Sequence, residues 1–430
     1  MTTAEIYQLF LSCEQKICTD TRNIVEGSLF FALKGENFNG NEFAQQALES
    51  GAKYVVIDEE KYNSDNTILV KDVLIALQDL ANHHRKQFDI PVIGITGSNG
   101  KTTTKELIAA VLQKKYNTLV TQGNLNNHLG VPFTLLRMTS QHEIAVIEMG
   151  ASKPGDIDEL CAIAEPTHGI ITNIGKAHIE GFGSYEGVIK TKTEMYDAIE
   201  GIQGTIFINA DDKILLKNAP ACDLITYGST GQVKSEVTAL NPLLAFKWRA
   251  SDYESPVIKT NLVGSYNKMN FTAAICIGLF FDVEPEEINQ ALRSYVPNNN
   301  RSQISTVNSC TLIVDCYNAN PTSMQRALEN FKDMEGDNKL AIIGDMKELG
   351  SISEDEHQAI IDWIDQHGIK TVLIGDEFSK VASDGHTSFS KVEDFLSNPG
   401  AYEKIKNHLV LLKGSRSIKL EALIESSIFQ

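Results

Sequence analysis

Gly94-Ile95-Thr96-Gly97-Ser98-Asn99-Gly100-Lys101-Thr102-Thr103-Thr104 decides how this chain is read. Residues 90–96 before the glycines are apolar and read as a strand; residues 102–115 after them read as a helix. Between the two, glycines let backbone N–H groups turn toward a phosphate, at the positive end of the following helix. Gly97, Ser98, Asn99, Gly100, Lys101, Thr102 and Thr103 then form a nucleotide cradle. Lys101 is expected to reach the β- and γ-phosphates, and the Thr102 hydroxyl to ligate Mg²⁺. The strict pattern GxxxxGK[ST] asks for glycine at 95, where this chain has Ile; the Gly-Lys-Thr core and its setting are intact.

Outward from the loop the alternation continues. Strands are expected at 144–148, 168–172 and 204–209, with helices at about 155–164 and 184–200. That pattern means a largely parallel sheet with crossover helices. Residues 231–262 are patchier and read as a β-ribbon, followed by helices at 266–281 and 285–295. Upstream, strands at 28–33 and 53–58 with helices at 41–50 and 74–87 make a small α/β unit. Downstream, Pro297-Asn298-Asn299-Asn300 reads as a linker. Strands at 311–315, 339–343, 371–375 and 409–412 follow, each expected to run into a loop and helix. The fold class is α/β in three domains: 1–87, a central parallel-sheet ATPase-like domain at 88–297, and a Rossmann-like domain at 298–430.

The composition excludes several classes. The chain has 430 residues, with 38 Lys+Arg against 56 Asp+Glu and a formal net charge of −18. Broad binding to nucleic acid or anionic membrane needs basic surface, so neither is expected. No apolar run approaches the ~20 residues of a membrane span, and no signal peptide is visible. Seven scattered cysteines without a CxxC pair read as reduced thiols, which suits a cytoplasmic location.

Two residues beyond the loop attract notice. Glu148 ends the apolar run 144–147, at the carboxyl end of a parallel strand where open α/β sheets place their sites. It reads as a Mg²⁺ carboxylate or as a capping, solvated glutamate. His178, after the next strand, reads either as a structural histidine or as a ligand.

Together these segments resemble the Mur ligase family, the ATP-dependent amide-forming enzymes of bacterial cell-wall precursor synthesis. Thr96-Gly97-Ser98-Asn99-Gly100-Lys101-Thr102-Thr103 looks like the family's phosphate loop. Gly123-Asn124-Leu125-Asn126-Asn127-His128-Leu129-Gly130-Val131-Pro132 resembles its muramyl-substrate loop, which implies substrate roles for Asn124, Asn126 and Asn127. Glu148 and His178 fall on metal-ligand positions. Gly264-Ser265-Tyr266-Asn267-Lys268-Met269-Asn270 resembles the segment whose last Asn contacts adenine. Asp20-Thr21-Arg22 resembles part of a UDP-sugar domain, implying substrate roles for Thr21 and Arg22. Lys192 matches a lysine that is carbamylated in these ligases, turning a cation into an anion able to hold a second Mg²⁺. Without the resemblance it reads as a solvent-facing helix lysine, and Lys190 is the alternative if the register slips by two.

Three C-terminal segments favour one branch of the family, which adds D-alanyl-D-alanine to UDP-N-acetylmuramoyl-tripeptide. They are Asp315-Cys316-Tyr317-Asn318-Ala319-Asn320-Pro321, Gly344-Asp345-Met346-Lys347-Glu348-Leu349-Gly350 and Lys413-Gly414-Ser415-Arg416. Asp315 and Asn318, at a strand tip, are candidates for ATP contact, and Arg301 matches a family arginine near the nucleotide. Asn320 reads as a helix N-cap or a substrate contact, with Pro321 at the first helical position. Lys413, Ser415 and Arg416 are expected to hold the dipeptide, or to be a plain turn.

A carboxylate does not react with an amine at neutral pH, because oxide would have to leave. ATP solves this by forming an acyl phosphate, and the protein's task is positioning and charge stabilisation. Lys101, Lys192 and His178 are the expected catalytic groups, with ATP and two Mg²⁺ ions as cofactors and a monomer as the working unit. The rivals are another Mur-type ligase, a folylpolyglutamate synthetase-like ligase, and a nucleotide-binding regulator without ligase activity.

Overall fold

In the computed structural model, which describes residues 1–240, 242–336, 338–401 and 405–429, the strand before the phosphate loop lies inside a large sheet. Every residue of Val92–Thr96 and of its neighbour Ile144–Glu148 is buried, as strands covered on both faces must be. Thr118–Val120 lies beyond Ile144–Glu148. On the other side of Val92–Thr96 come His168–Ile171, Thr205–Asn209 and Asp223–Tyr227, all parallel. After His168–Ile171 the chain has crossed from one side of Val92–Thr96 to the other. The carboxyl ends of the strands on either side of that crossing therefore form a crevice.

The stretch read as a β-ribbon is the antiparallel end of this sheet: Val233–Leu240, Leu243–Ala250 and Ile258–Val263. The helix Lys268–Phe280 buries its apolar run against the sheet.

The N-terminal sheet has four parallel strands in the order Ile17–Cys18, Leu29–Phe31, Tyr54–Ile57 and Thr67–Leu69. The helix Val73–Arg85, capped by Asp72, ties it to the large sheet's helices. Leu77 and Leu80 share one core with Val131, Leu135, Ile157 and Leu160. Arg85 is buried there and donates to the carbonyls of Ala164 and Phe88.

The third sheet orders Gln303–Val307, Cys310–Asp315, Leu409–Lys413, Lys339–Gly344, Thr371–Ile374 and Thr387–Phe389, parallel except for the first pair. The last long strand, Leu409–Lys413, corrects the expected strand–loop–helix pattern. It is followed by 3-10 turns at Arg416–Ile418 and Leu420–Leu423, with Lys419 in the left-handed region between them. A residue at positive φ interrupts the repeating geometry that a helix needs. The linker is held as well: Asn299 and Tyr295 both bond Glu106 on the phosphate-loop helix.

Candidate active site

A cleft of about 550 Å³ lies between the carboxyl ends of the large sheet and those of the third. The phosphate loop forms its floor, and two glycines shape that loop. Gly97 sits at φ +140°, and a Cβ there would clash with the Thr172 hydroxyl. Gly100 sits at φ +80°, and a Cβ there would meet the Asn270 amide. The loop is buttressed by the segment after His168–Ile171. Thr172 Oγ1 and Asn173 Nδ2 donate to the Asn99 carbonyl at 2.6 and 2.8 Å, and Ser98 N–H donates to the Asn173 carbonyl at 2.9 Å. The helix Lys101–Leu112 then begins at Lys101, one residue earlier than expected. Burial holds the Lys101 ammonium down at about 8, with Glu148 acting in the opposite sense.

Glu148 is buried and central. Its Oε1 accepts from the Thr102 hydroxyl at 3.1 Å and from Asn126 Nδ2 at 2.8 Å. Its Oε2 is buried without a hydrogen-bond partner, with the Lys105 ammonium 3.7 Å away. A buried carboxylate oxygen left open beside a hydroxyl is a donor set that suits a hard, oxygen-seeking cation such as Mg²⁺. Lys105, which the sequence reading passed over, also donates to the Gly123 carbonyl of the asparagine-rich loop. Its signal was its spacing: four residues after Lys101, it shares that residue's face of the helix.

Lys192 corrects the reading of a solvent-facing lysine. It is 2% exposed, on the inner face of the helix Tyr185–Glu200, with its ammonium 5.4 Å over the Phe182 ring. Burial, and next the charge of Lys101, push its amine well below the ordinary lysine range. Lys190 is exposed, so the register does not slip. His178 lines the same cleft in a left-handed conformation, and its Nδ1 is paired with the Glu348 carboxylate from the third sheet's side. That bond lowers the Glu348 carboxyl. Among the described residues, no group of three or more His, Cys, Asp or Glu side chains is placed to hold a metal.

The opposite wall is set by one strand pairing. Asp315 lies opposite Lys413, and their side chains form a 2.7 Å ion pair. Asp315 Oδ1 also accepts from Ser302 N–H, which fixes Arg301. Arg301, Asp315, Asn318, Asn320, Lys413 and Asn270 all line the cleft. Asn320 serves two ends. Its Oδ1 accepts from Ser323 N–H as the N-cap of Pro321–Asp333, and its Nδ2 donates to Asn99 of the phosphate loop at 2.7 Å. Ser415 bonds the Lys347 N–H, while Arg416 stacks on Tyr317. Across the cleft, Lys176 pairs with Glu356 at 2.6 Å.

Asn124, Asn126 and Asn127 line the cleft too. Asn127 Oδ1 is engaged with the N–H groups of Leu129 and Gly130. Thr21 and Arg22 are not brought there: they sit in a 3-10 turn on the N-terminal sheet, where Arg22 is paired with Asp20.

Comparison with known proteins agrees along the whole length. Family models match at residues 15–85 (Mur ligase family, catalytic domain), 95–278 (Mur ligase middle domain) and 300–416 (Mur ligase, glutamate ligase domain). The UDP-N-acetylmuramoyl-tripeptide--D-alanyl-D-alanine ligase of Bacillus subtilis is 35% identical over 430 residues, covering 96% of this chain and 93% of its own. The Escherichia coli protein of the same name is 32% identical, covering 95% and 93%. A crystal structure of MurF from Acinetobacter baumannii superposes with a TM-score of 0.87 at 30% identity, over 97% of this chain and 98% of that one. MurF ligase from Thermotoga maritima in complex with ADP gives 0.86 at 27%, over 96% and 97%.

Proposed function

The chain belongs to the Mur ligase family, and on that premise we propose that it joins D-alanyl-D-alanine to UDP-N-acetylmuramoyl-tripeptide with hydrolysis of ATP to ADP and phosphate, in peptidoglycan precursor synthesis. The observation that carries this reading is one cleft with a phosphate loop on one wall and the Asp315–Lys413 pair on the other.

The tripeptide's terminal carboxylate attacks the γ-phosphorus, and the dipeptide amine then displaces phosphate from the acyl phosphate. Both steps gather anions. The loop amides and Lys101 take phosphate oxygens on one wall, and Arg301 and Lys413 add positive charge on the other. Two Mg²⁺ ions would be held by Thr102, Glu148, His178 and a carbamylated Lys192, and would supply charge neutralisation at the phosphates. Two features support the lysine's part. It is buried close enough to Lys101 to feel its charge, and burial lowers its basicity, which favours the neutral amine, the form that adds CO₂. His178 orients Glu348 and links the two walls.

Asn270 faces the nucleotide beside Gly100, Asp315 and Asn318 contact it too, and Asn124, Asn126 and Asn127 take the muramyl substrate. Thr21 and Arg22 serve the UDP end, and Asn320, Ser415 and Arg416 the dipeptide. The chain divides into domains at 1–87, 88–297 and 298–430. A monomer in the cytoplasm completes the reading, in keeping with seven free thiols.

The test offers the purified chain ATP with two substrate pairs. UDP-N-acetylmuramoyl-tripeptide with D-alanyl-D-alanine is expected to give the pentapeptide and one phosphate per product. The UDP-linked dipeptide with a diamino acid is expected to give none. Product from the second pair alone would overturn the assignment.

A further inference from the structure

Two arginines, Arg301 and Arg416, lie over the ring of Tyr317. The Arg301 guanidinium carbon is 3.9 Å from its ring centroid and that of Arg416 is 4.9 Å away. Strand pairing explains why the three meet. Asp315 is in register with Lys413, so the residues two and three places further on leave the sheet side by side. Asp315 also holds Ser302 N–H, which draws Arg301 to the same place.

Two guanidiniums on one ring repel each other, yet both are attracted to the negative faces of the π-system. Among the described residues, neither arginine has a carboxylate partner. Arg301 Nε is buried and has no hydrogen-bond partner, and Arg301 and Tyr317 both line the cleft. The Tyr317 hydroxyl makes no hydrogen bond among the described residues either, so the ring is the part in use. Unspent guanidinium donors, that of Arg301 in the cleft lining and that of Arg416 exposed over the same ring, make a receptor for an oxyanion.

We infer that Tyr317 is a positioning residue whose ring holds Arg301 and Arg416 as a two-armed clamp for an oxyanion of the substrates, either a nucleotide phosphate or a peptide carboxylate. This rests on the ligase reading above. Stacking fixes the plane of each guanidinium before a ligand arrives, so less side-chain freedom is lost on binding.

The experiment has two arms. Calorimetry measures the Kd of a non-hydrolysable ATP analogue, which needs no turnover. Steady-state kinetics measures the KM for D-alanyl-D-alanine. Tyr317→Leu is expected to weaken one arm about tenfold, the size that loss of two cation–π contacts implies, with kcat changed far less. Tyr317→Phe is expected to restore wild-type values. Weakened nucleotide binding assigns the clamp to phosphate; a raised dipeptide KM alone assigns it to carboxylate. Arg416→Gln, at an exposed position, is expected to weaken the same arm and to add nothing in the double variant with Tyr317→Leu. Wild-type behaviour of Tyr317→Leu in both arms, or equal losses in the Leu and Phe variants, would overturn the clamp. Absence of ligation by the wild-type chain would instead remove the ligase reading, while the nucleotide arm still reports on the clamp.

Discussion

The two walls of the cleft are built on different principles. On the phosphate-loop wall, Lys105, Glu148 and Lys192 are each at most 2% exposed, so their charges act on one another with little screening by water. On the facing wall, Arg301 and Tyr317 are half-buried and Asn318 and Arg416 are exposed, and their places follow from the register of Asp315 against Lys413. The first wall is preorganised for charge, which is where a phosphoryl transfer needs its stabilisation. The second is an assembled recognition surface, joined to the first by Asn320, Glu348 and Glu356.

If that contrast holds, the largest loss comes from the buried wall. Lys101→Ala should lower turnover about 10²–10³-fold, the scale of removing one preorganised donor, with the circular dichroism spectrum unchanged. Turnover within a few-fold of wild type would mean that the phosphate loop is not where charge is stabilised.

Asp315→Ala asks how firmly the outer wall is held. It leaves the Lys413 ammonium buried without its partner and should cost about 3 kcal/mol in urea unfolding. A neutral result would detach the outer wall's geometry from this pair.

A third prediction concerns stability apart from chemistry. His168 begins the strand whose other end carries Thr172, and it packs among Phe207, Phe280 and Phe281. Burial pulls its imidazole down to about 4, below its usual value near 6.5, so the folded state prefers it neutral. Its contribution is therefore fully present above pH 6.5 and is lost as pH falls toward 4, by at most about 1.4 kcal/mol per pH unit. Comparing His168→Leu with wild type in acid unfolding should show that slope reduced. Identical slopes would place the acid sensitivity elsewhere.

The smallest effect on stability separates function from folding within the buried wall. Lys192→Met removes a buried amine and should stabilise the protein by about 1 kcal/mol while lowering turnover. Activity in Lys192→Ala should return with added short-chain carboxylate. Full activity without rescue would remove the carbamate.

The contrast also governs what could be read in advance. The phosphate loop was legible because seven adjacent residues carry it, and most strands and helices fell within a few residues of expectation because their apolar periodicity is local. The short strands Thr118–Val120, Asp223–Tyr227 and Thr387–Phe389 were not, since three to five residues give too little pattern. Lys192 was misjudged on local pattern alone, because it sits on the face of its helix that buries Val188, Met195 and Tyr196 in the core, where a lysine is not expected. Tyr317 and Glu348 stood inside quoted segments, yet their roles depend on Arg416 and His178, about a hundred or more positions away, brought close by strand register and by the meeting of two sheets. The turns after Lys413 defeated a pattern in which every strand precedes a helix.

The central claim is that the cleft transfers the γ-phosphoryl group of ATP to a peptide carboxylate before an amine displaces it. Supplying UDP-N-acetylmuramoyl-tripeptide with ¹⁸O in its terminal carboxylate, together with ATP and D-alanyl-D-alanine, tests it directly. One labelled oxygen is expected in each released phosphate, seen by mass spectrometry. Phosphate free of label alongside normal product would contradict the account.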